Sequence, residues 1–441
     1  LFDKNNFISE SSSIKTSLKS LFKDIFISFL TVFDSDRSIA HFPLLTENLI
    51  RIFSKEDSLC EDFWFVDSQF PGRTSVLRHW INRFPNDFIT LIRLIGALSS
   101  GPVCSEIVSD LLFKGFDHIY VERCSDRGNV IEDYDLKSEI YNLTVEKAIE
   151  IHSCGVGVIL ANGTKGVMMG GFNERPMVNW STKISPFHFL LRILQISQDF
   201  SVSYFVLELF EKLLNGHEEF SVRLFEHLDA PVPIFTESKV CNLPLTLVDL
   251  LLFVLEQPNP NALIMSKCLD CLVHFENVFD SSFFVSFMQI FSNVMDGITN
   301  VLKRCVYTVE IDEVNFEVFD SVIKFSEVLL NLCYKFSHSS PGDCSTLLNS
   351  LKGTIFTFII DHVGKWRFNS QIHRFRLLAE VCRLILSLEN SNALSKDEVS
   401  IGQNFAFFDA IILLINFLNQ EPESYSNGKF LQDNGIDASI Y

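Results

Sequence analysis

Basic charge is in short supply in this chain. Its 36 Lys and Arg face 55 Asp and Glu, a formal net charge of −19. So acidic a chain repels phosphate backbones unless it sequesters a basic patch, which argues against direct nucleic-acid binding. Long hydrophobic runs are missing too. The best one, Phe405–Leu418, is broken by Asp409 and Asn416. It falls short of the ~18–20 apolar residues that a membrane span needs, so no transmembrane span is expected. Residues 1–20 are polar and rich in Ser and Lys, without the pattern of a signal peptide. The chain opens on Leu1 rather than Met, as a piece of a longer protein does.

Catalytic constellations are equally scarce. There is no HExxH, no G-x-S-x-G and no set of kinase motifs. Gly155-Val156-Gly157 resembles the start of a dinucleotide fingerprint, but Leu160 stands at the third glycine position and no βαβ pattern surrounds it. Gly163-Thr164-Lys165-Gly166 lacks the Gly-Lys-Ser/Thr ending of a phosphate loop. Cys268, Cys271 and His274 have C-x-x-C-x-x-H spacing. A tetrahedral zinc site needs four ligands, and these three sit inside an apolar helix pattern, so packing is the expected role. No enzyme activity, metal or cofactor is expected. The 11 cysteines are odd in number and spread without dense pairing, which suits a reducing compartment. Three short sequons, at Asn142, Asn162 and Asn179, read as chance matches. No sequence period marks a consensus repeat. Although there are 44 Phe, no Phe-Gly dipeptide occurs; the Phe residues stand at core-type helical spacing.

What is present is helix pattern on both sides of one β-type island. Apolar residues recur at spacings of three and four from Ile14 onward, in segments of ~10–20 residues with short polar joints, as in helical repeat arrays. Predicted helices include 39–53, 74–84, a segment starting at Pro85, 103–113, 187–196, 202–215, 220–228, 245–256, 262–275, 282–295, 314–336, 346–363, 370–388 and 402–419. Ile151–Trp180 breaks the pattern. Glycines crowd there, and Val156–Leu160, Val167–Met169 and Met177–Val178 are short β-type runs. Asn162-Gly163 is the strongest hairpin signal, because a type I′ turn needs positive φ at both central residues. Thr144–Ile151 supplies a leading strand, and 124–135 reads as a polar loop leading in. The expected organisation is a helical segment at 1–143, a β-module at 144–183 with Gly163 at its turn and Val178 and Trp180 in its core, helices again at 184–419, and a polar tail at 420–441. The fold class is all-α, an irregular helical array interrupted by a small β insertion.

One cluster departs from the acidic background. Lys365, Arg367, Arg374, Arg376 and Arg383 oppose only Asp361 and Glu380 between positions 361 and 383. It reads either as a patch for an acidic partner or as a solvated helix face paired with acidic neighbours. Trp366 and Phe368 stand at the adjoining helix junction.

Three ordered stretches carry a resemblance. They are Cys60-Glu61-Asp62-Phe63-Trp64 with Phe84–Phe88 and Ala97–Pro102; Gly163–Met168 with Met177–Trp180; and Lys365–Ser370 heading a helix. In order and spacing the chain resembles the N-terminal part of the nucleoporin 188 family, large scaffold subunits of the inner ring of the nuclear pore. The resemblance implies a superhelical α-solenoid with a Src-homology-3-like barrel inserted in its N-terminal half. It also implies a place at the nuclear envelope, helical segments of linker nucleoporins as partners, contacts with transport receptors, and support of nucleocytoplasmic transport of protein and mRNA. A soluble karyopherin-like receptor or armadillo-type adaptor is the second expectation, since the acidic charge suits basic cargo.

Overall fold

The structure is a computed structural model. It describes residues 17–25, 42–65, 71–122, 129–135, 140–169, 177–197, 199–216, 218–226, 242–306 and 310–336, with 349, 351, 353–354, 358–359, 367–368 and 371–390 beyond them. The helices expected at 346–363 and 402–419 and the tail at 420–441 fall largely or wholly outside these residues. The chain divides into two compact units, Leu1–Thr246 and Leu247–Tyr441. The described residues are mostly helical, with a small antiparallel sheet region in the first unit. No described helix is long and apolar enough to cross a membrane.

In the first unit α1 (17–25), α2 (Phe42–Phe53), α3 (Asp57–Phe65), α4 (Pro71–Asn82), α5 (Phe88–Ala97) and α6 (Pro102–Lys114) precede the sheet. After it come α7 (Pro186–Ile196), α8 (Phe200–Gly216) and α9 (Glu218–Glu226). Local chemistry sets the boundaries. Gly101, with φ 86°, precedes Pro102 at the first turn of α6, where a missing N–H costs nothing. Ser185 caps α7 by accepting from the His188 N–H, again with Pro at the first turn. The helix expected to begin at Pro85 begins at Phe88 instead. Pro85 bridges to Tyr120, and the Phe84 carbonyl accepts from the Tyr120 N–H at 2.7 Å.

Helices on the two sides of the sheet pack directly on each other: α8 lies against α5 and α6, and α6 against α7. The sheet is therefore an insertion into a helical assembly. Its two ends are clasped by reciprocal hydrogen bonds, Phe116 N–H to Ile184 O and Ile184 N–H to Phe116 O, both 2.8 Å. Gly115 permits this approach. It sits at φ 85°, and a Cβ there would lie 2.9 Å from the Ile184 carbonyl oxygen. Phe84, Phe116, Phe189 and Phe88 meet edge-on beneath the clasp, with centroids 5.0–5.6 Å apart.

The insertion holds β1 (Ile119–Glu122), β2 (Val130–Asp135), β3 (Ile140–Val145), β4 (Ile149–Ser153), β5 (Val156–Leu160), β6 (Lys165–Met169) and β7 (Met177–Trp180). Five strands form one antiparallel sheet in the order β1-β7-β6-β3-β2; β4 and β5 form a separate hairpin. Strand-forming sequence thus begins at Ile119, ahead of residue 144. Three expectations are corrected. Residues 130–135 are a strand, not a polar loop; β2 ends the sheet among the described residues and exposes Ile131, Glu132, Asp133 and Tyr134, so it has little apolar pattern to betray it. Thr144–Ile151 is the end of one strand and the start of another. The two-residue hairpin turn is Cys154-Gly155, not Asn162-Gly163. Cys154 and Gly155 have φ 53° and 84°, the positive pair that a type I′ turn requires, between Ser153 and Val156 in register. Gly163 does take positive φ, 85°, but β5 and β6 on its two sides do not pair. Its N–H instead donates to Val145 O, so the turn passes the chain from the hairpin to the sheet.

The second unit contains most of α10 (Leu243–Leu255), then α11 (Ala262–Val273), α12 (Ser281–Val306), β8 (Glu310–Ile311), α13 (Glu313–Lys335), β9 (Arg367–Phe368) and α14 (Gln371–Asn390). The helix expected at 282–295 runs on to Val306. Its N-terminal half carries Phe283, Phe287 and Phe291 at helical spacing. With Phe279 they form a ladder whose neighbouring rings lie 4.8–6.4 Å apart. α13 packs against both α11 and α14.

Candidate functional site

Two places gather the residues that the sequence singles out. The first is the sheet. Val178 and Trp180 alternate inward on β7 and are buried. Trp180 is in register with Gly166 on β6, and its indole covers the glycine: a Cβ there would stand 2.5 Å from Trp180 Cε3. Gly166 is a site residue that sequence reasoning missed, although its glycine lies three positions from Gly163. Ile119, Val121, Leu143 and Val145 complete the buried face around Trp180.

The stretch at Cys60–Trp64 also acquires a reason. The last carbonyls of a helix lack intrahelical donors. At the end of α5 three in succession are met by side chains from other helices. Cys60 Sγ–H donates to Ala97 O at 3.3 Å, Trp64 Nε1–H to Leu98 O at 3.0 Å, and Ser105 Oγ–H to Ser99 O at 2.7 Å. Burial pushes the Cys60 thiol up to about 12 and the Cys104 thiol to about 11, so both stay protonated. The separated pieces of the first stretch, Cys60–Trp64 and Ala97–Pro102, are one contact in space.

The second place is the seam between α13 and α14. Arg376 Nη2 and Lys324 Nζ both reach Asp320 Oδ2 at 2.9 Å. Arg383 Nε reaches Glu327 Oε1 at 3.2 Å, and its Nη1 lies 3.9 Å from Glu380 Oε2. Arg376 also stands over the Phe316 ring at 5.7 Å, and Phe316 stacks on His373 at 4.3 Å. The two arginines of the basic cluster whose side chains are described are thus paired within the second unit. Burial, and next the Asp320 charge, raise the Glu380 pKa, against Lys324, Arg383 and Arg376. The Glu276 pKa is raised chiefly by burial, with Glu327 adding to it. Arg374 lies on α14, with its side chain outside the described set. Arg367 and Phe368 are described as backbone: β9 pairs in parallel with β8, Glu310 opposite Arg367 and Ile311 opposite Phe368. Lys365 and Trp366 lie outside the described residues.

Cys268 and Cys271 are fully buried on α11, and burial raises the Cys268 thiol pKa, away from the thiolate a metal would need. His274 ends that helix, its N–H turned back on Cys271 O. Gly155 and Gly157 belong to the β4–β5 hairpin rather than to a strand-to-helix phosphate turn. The chain matches no family model and no curated protein.

Proposed function

We propose that this chain is a non-enzymatic scaffold segment of the inner ring of the nuclear pore, of the nucleoporin 188 type. The observation that carries the reading is the clasped sheet. A helical assembly is interrupted between Phe116 and Ile184 by a small antiparallel sheet and resumes by packing the helices on either side against one another. In this reading the helices continue into a superhelical solenoid and the sheet curls toward a Src-homology-3-like barrel. Function is binding: stacked helices offer grooves to helical segments of linker nucleoporins, and transport receptors pass along the assembly. The second reading, a soluble karyopherin-like receptor or armadillo-type adaptor, draws on the net charge of −19, which suits basic cargo.

The test is the cellular position and exchange of the tagged full-length protein beside a pore marker. A punctate nuclear rim without recovery over minutes after photobleaching supports the scaffold. Rapid exchange between nucleus and cytoplasm favours the receptor. Diffuse cytosol without a rim overturns the nucleoporin reading.

A further inference from the structure

In the first unit α5 packs against both α2 and α8. Between the two flanking helices lies a cavity of about 130 Å³, with Gly96 and Ala97 of α5 on its floor. The sequence makes this space. One turn earlier Ile92 fills its place with a full side chain, whereas Gly96 and Ala97 offer a hydrogen and a methyl. Ile50 closes the cavity from α2, and Phe205 and Leu209 close it from α8.

The mouth is charged. Arg93 of α5 and Lys212 of α8 line it, both partly exposed, and Glu208 is the one acid in the lining. Cations thus outnumber acids here, in a chain whose 55 acids otherwise outweigh 36 Lys and Arg. Both cations have donors left over. Arg93 Nη2 donates to Glu47 Oε1 at 2.8 Å, and its guanidinium stands over the Phe205 ring, 5.2 Å from the centroid. Its other N–H groups meet no acceptor among the described residues. Lys212 Nζ reaches Glu208 Oε1 at 3.1 Å, an exposed pair one helical turn apart, of the kind that holds weakly. An ammonium group carries further donors for a second acceptor. The ends of α2 and α5 do not compete for these cations, because their carbonyls are answered elsewhere: Phe53 O and Ala97 O by Cys60, Ser54 O by Lys19.

An apolar floor under a few polar groups at the rim is the make-up of a small-molecule site. A dry cavity of ~150 Å³ takes benzene, so this one suits a branched body of about four to six carbons. We infer that the cavity binds a small amphiphilic carboxylate, its apolar body against Gly96 and Ala97 and its carboxylate held at the mouth by Lys212 and Arg93. The same chemistry comes as a free branched-chain acid or as the C-terminal aliphatic residue of a peptide. The inference is independent of the nuclear-pore reading, because it rests on this cavity alone.

The probe is isocaproate, titrated into the full chain labelled at Ile, Leu and Val methyl groups. The shifts of Ile50, Ile92 and Leu209 are followed. Acetate, isocaproamide and N-acetylleucine are titrated beside it. The expected result is saturable shifts at these three residues with isocaproate and none with acetate at the same concentration. Isocaproamide, which keeps the shape and loses the charge, is expected to bind about tenfold more weakly. Lys212→Met keeps the apolar stem and is expected to weaken isocaproate about tenfold as well. Glu208→Gln removes the competing acid and is expected to strengthen it about threefold. Gly96→Ala sets a methyl 3.5 Å from Leu209 Cδ1, an ordinary contact, so the fold stands while the narrowed floor weakens binding. N-acetylleucine binding at least as tightly as isocaproate assigns the peptide C-terminus; weaker binding assigns the free acid. No shifts with isocaproate, equal shifts with acetate, equal binding of the amide, shifts confined to methyls outside the cavity, or weaker binding in Glu208→Gln would each overturn the proposal.

Discussion

The indole of Trp180 occupies the space where Gly166 would carry a side chain. Trp180 and Gly166 are thus one structural unit across β6 and β7, and the two glycines of this loop-and-strand region differ in what they do. Gly163 has positive φ but, among the described residues, nothing within 4 Å of where a Cβ would stand. Gly166→Ala must displace a buried aromatic ring and is expected to cost ~1–3 kcal/mol. Gly163→Ala meets only the backbone penalty of the left-handed region, ~1–2 kcal/mol. Urea unfolding with amide exchange at β6 and β7 separates them. Gly166→Ala should loosen both strands, and Gly163→Ala should leave the ladder protected. Equal loosening would remove the special role of Gly166.

Arg376 and Arg383 look alike in sequence and are held differently. Asp320 has 8% of its side chain exposed and takes both Lys324 and Arg376 on one oxygen; Oδ1 is buried without a hydrogen bond among the described residues. Arg376→Met leaves that carboxylate with one cation, at an expected cost of ~1–3 kcal/mol, discounted for the 30% exposure of the arginine. Arg383 is 45% exposed, and Arg383→Met is expected to cost ~0.5 kcal/mol or less. Chemical denaturation followed by exchange at α13 and α14 measures both. A larger loss for Arg383→Met would contradict this order.

The seam also carries a pH signature. The Glu380 pKa is raised above its ordinary value of 4.5, first by burial and then by Asp320. A carboxyl whose folded pKa is raised favours folding when protonated. That contribution is present below the unfolded pKa and is lost as pH rises through the folded one. Glu276 has the same sign. Glu380→Gln, neutral throughout, should match the wild type below the ordinary carboxylate range and become the more stable of the two as pH rises past the raised value. Exchange of α14 amides across that range reads the difference. A wild type more stable than Glu380→Gln at neutral pH would mean that the ion pair with Arg383 outweighs burial.

The helices were legible where a buried stripe repeats every three or four residues. Phe187–Ile196 and Val314–Phe336 were expected and occur as Pro186–Ile196 and Glu313–Lys335. β2 was not legible, since exposed side chains leave no alternation to read. The sequence points to Asn162-Gly163 for the hairpin because Asn-Gly prefers positive φ intrinsically, whereas Cys154 accepts it under the demand of a two-residue connection. The partners of the basic cluster were hidden by distance along the chain. One regularity could have revealed them. Asp320 and Arg376 lie 56 residues apart, and so do Glu327 and Arg383. Acids seven apart on one helix match bases seven apart on another, the pattern of two helices running parallel with a constant offset.

The clasp at Phe116 and Ile184 has an evolutionary and engineering consequence. Because those residues already meet through two hydrogen bonds, the stretch from 117 to 183 spans no distance as seen from α6 and α7. Loop-closure entropy grows only as the logarithm of length, so a longer, shorter or foreign sheet grafted between the same two residues would change closure by ~0.6 kcal/mol per doubling. The helices can keep their spacing while the sheet is rewritten, which makes this joint a port for exchanging recognition surfaces.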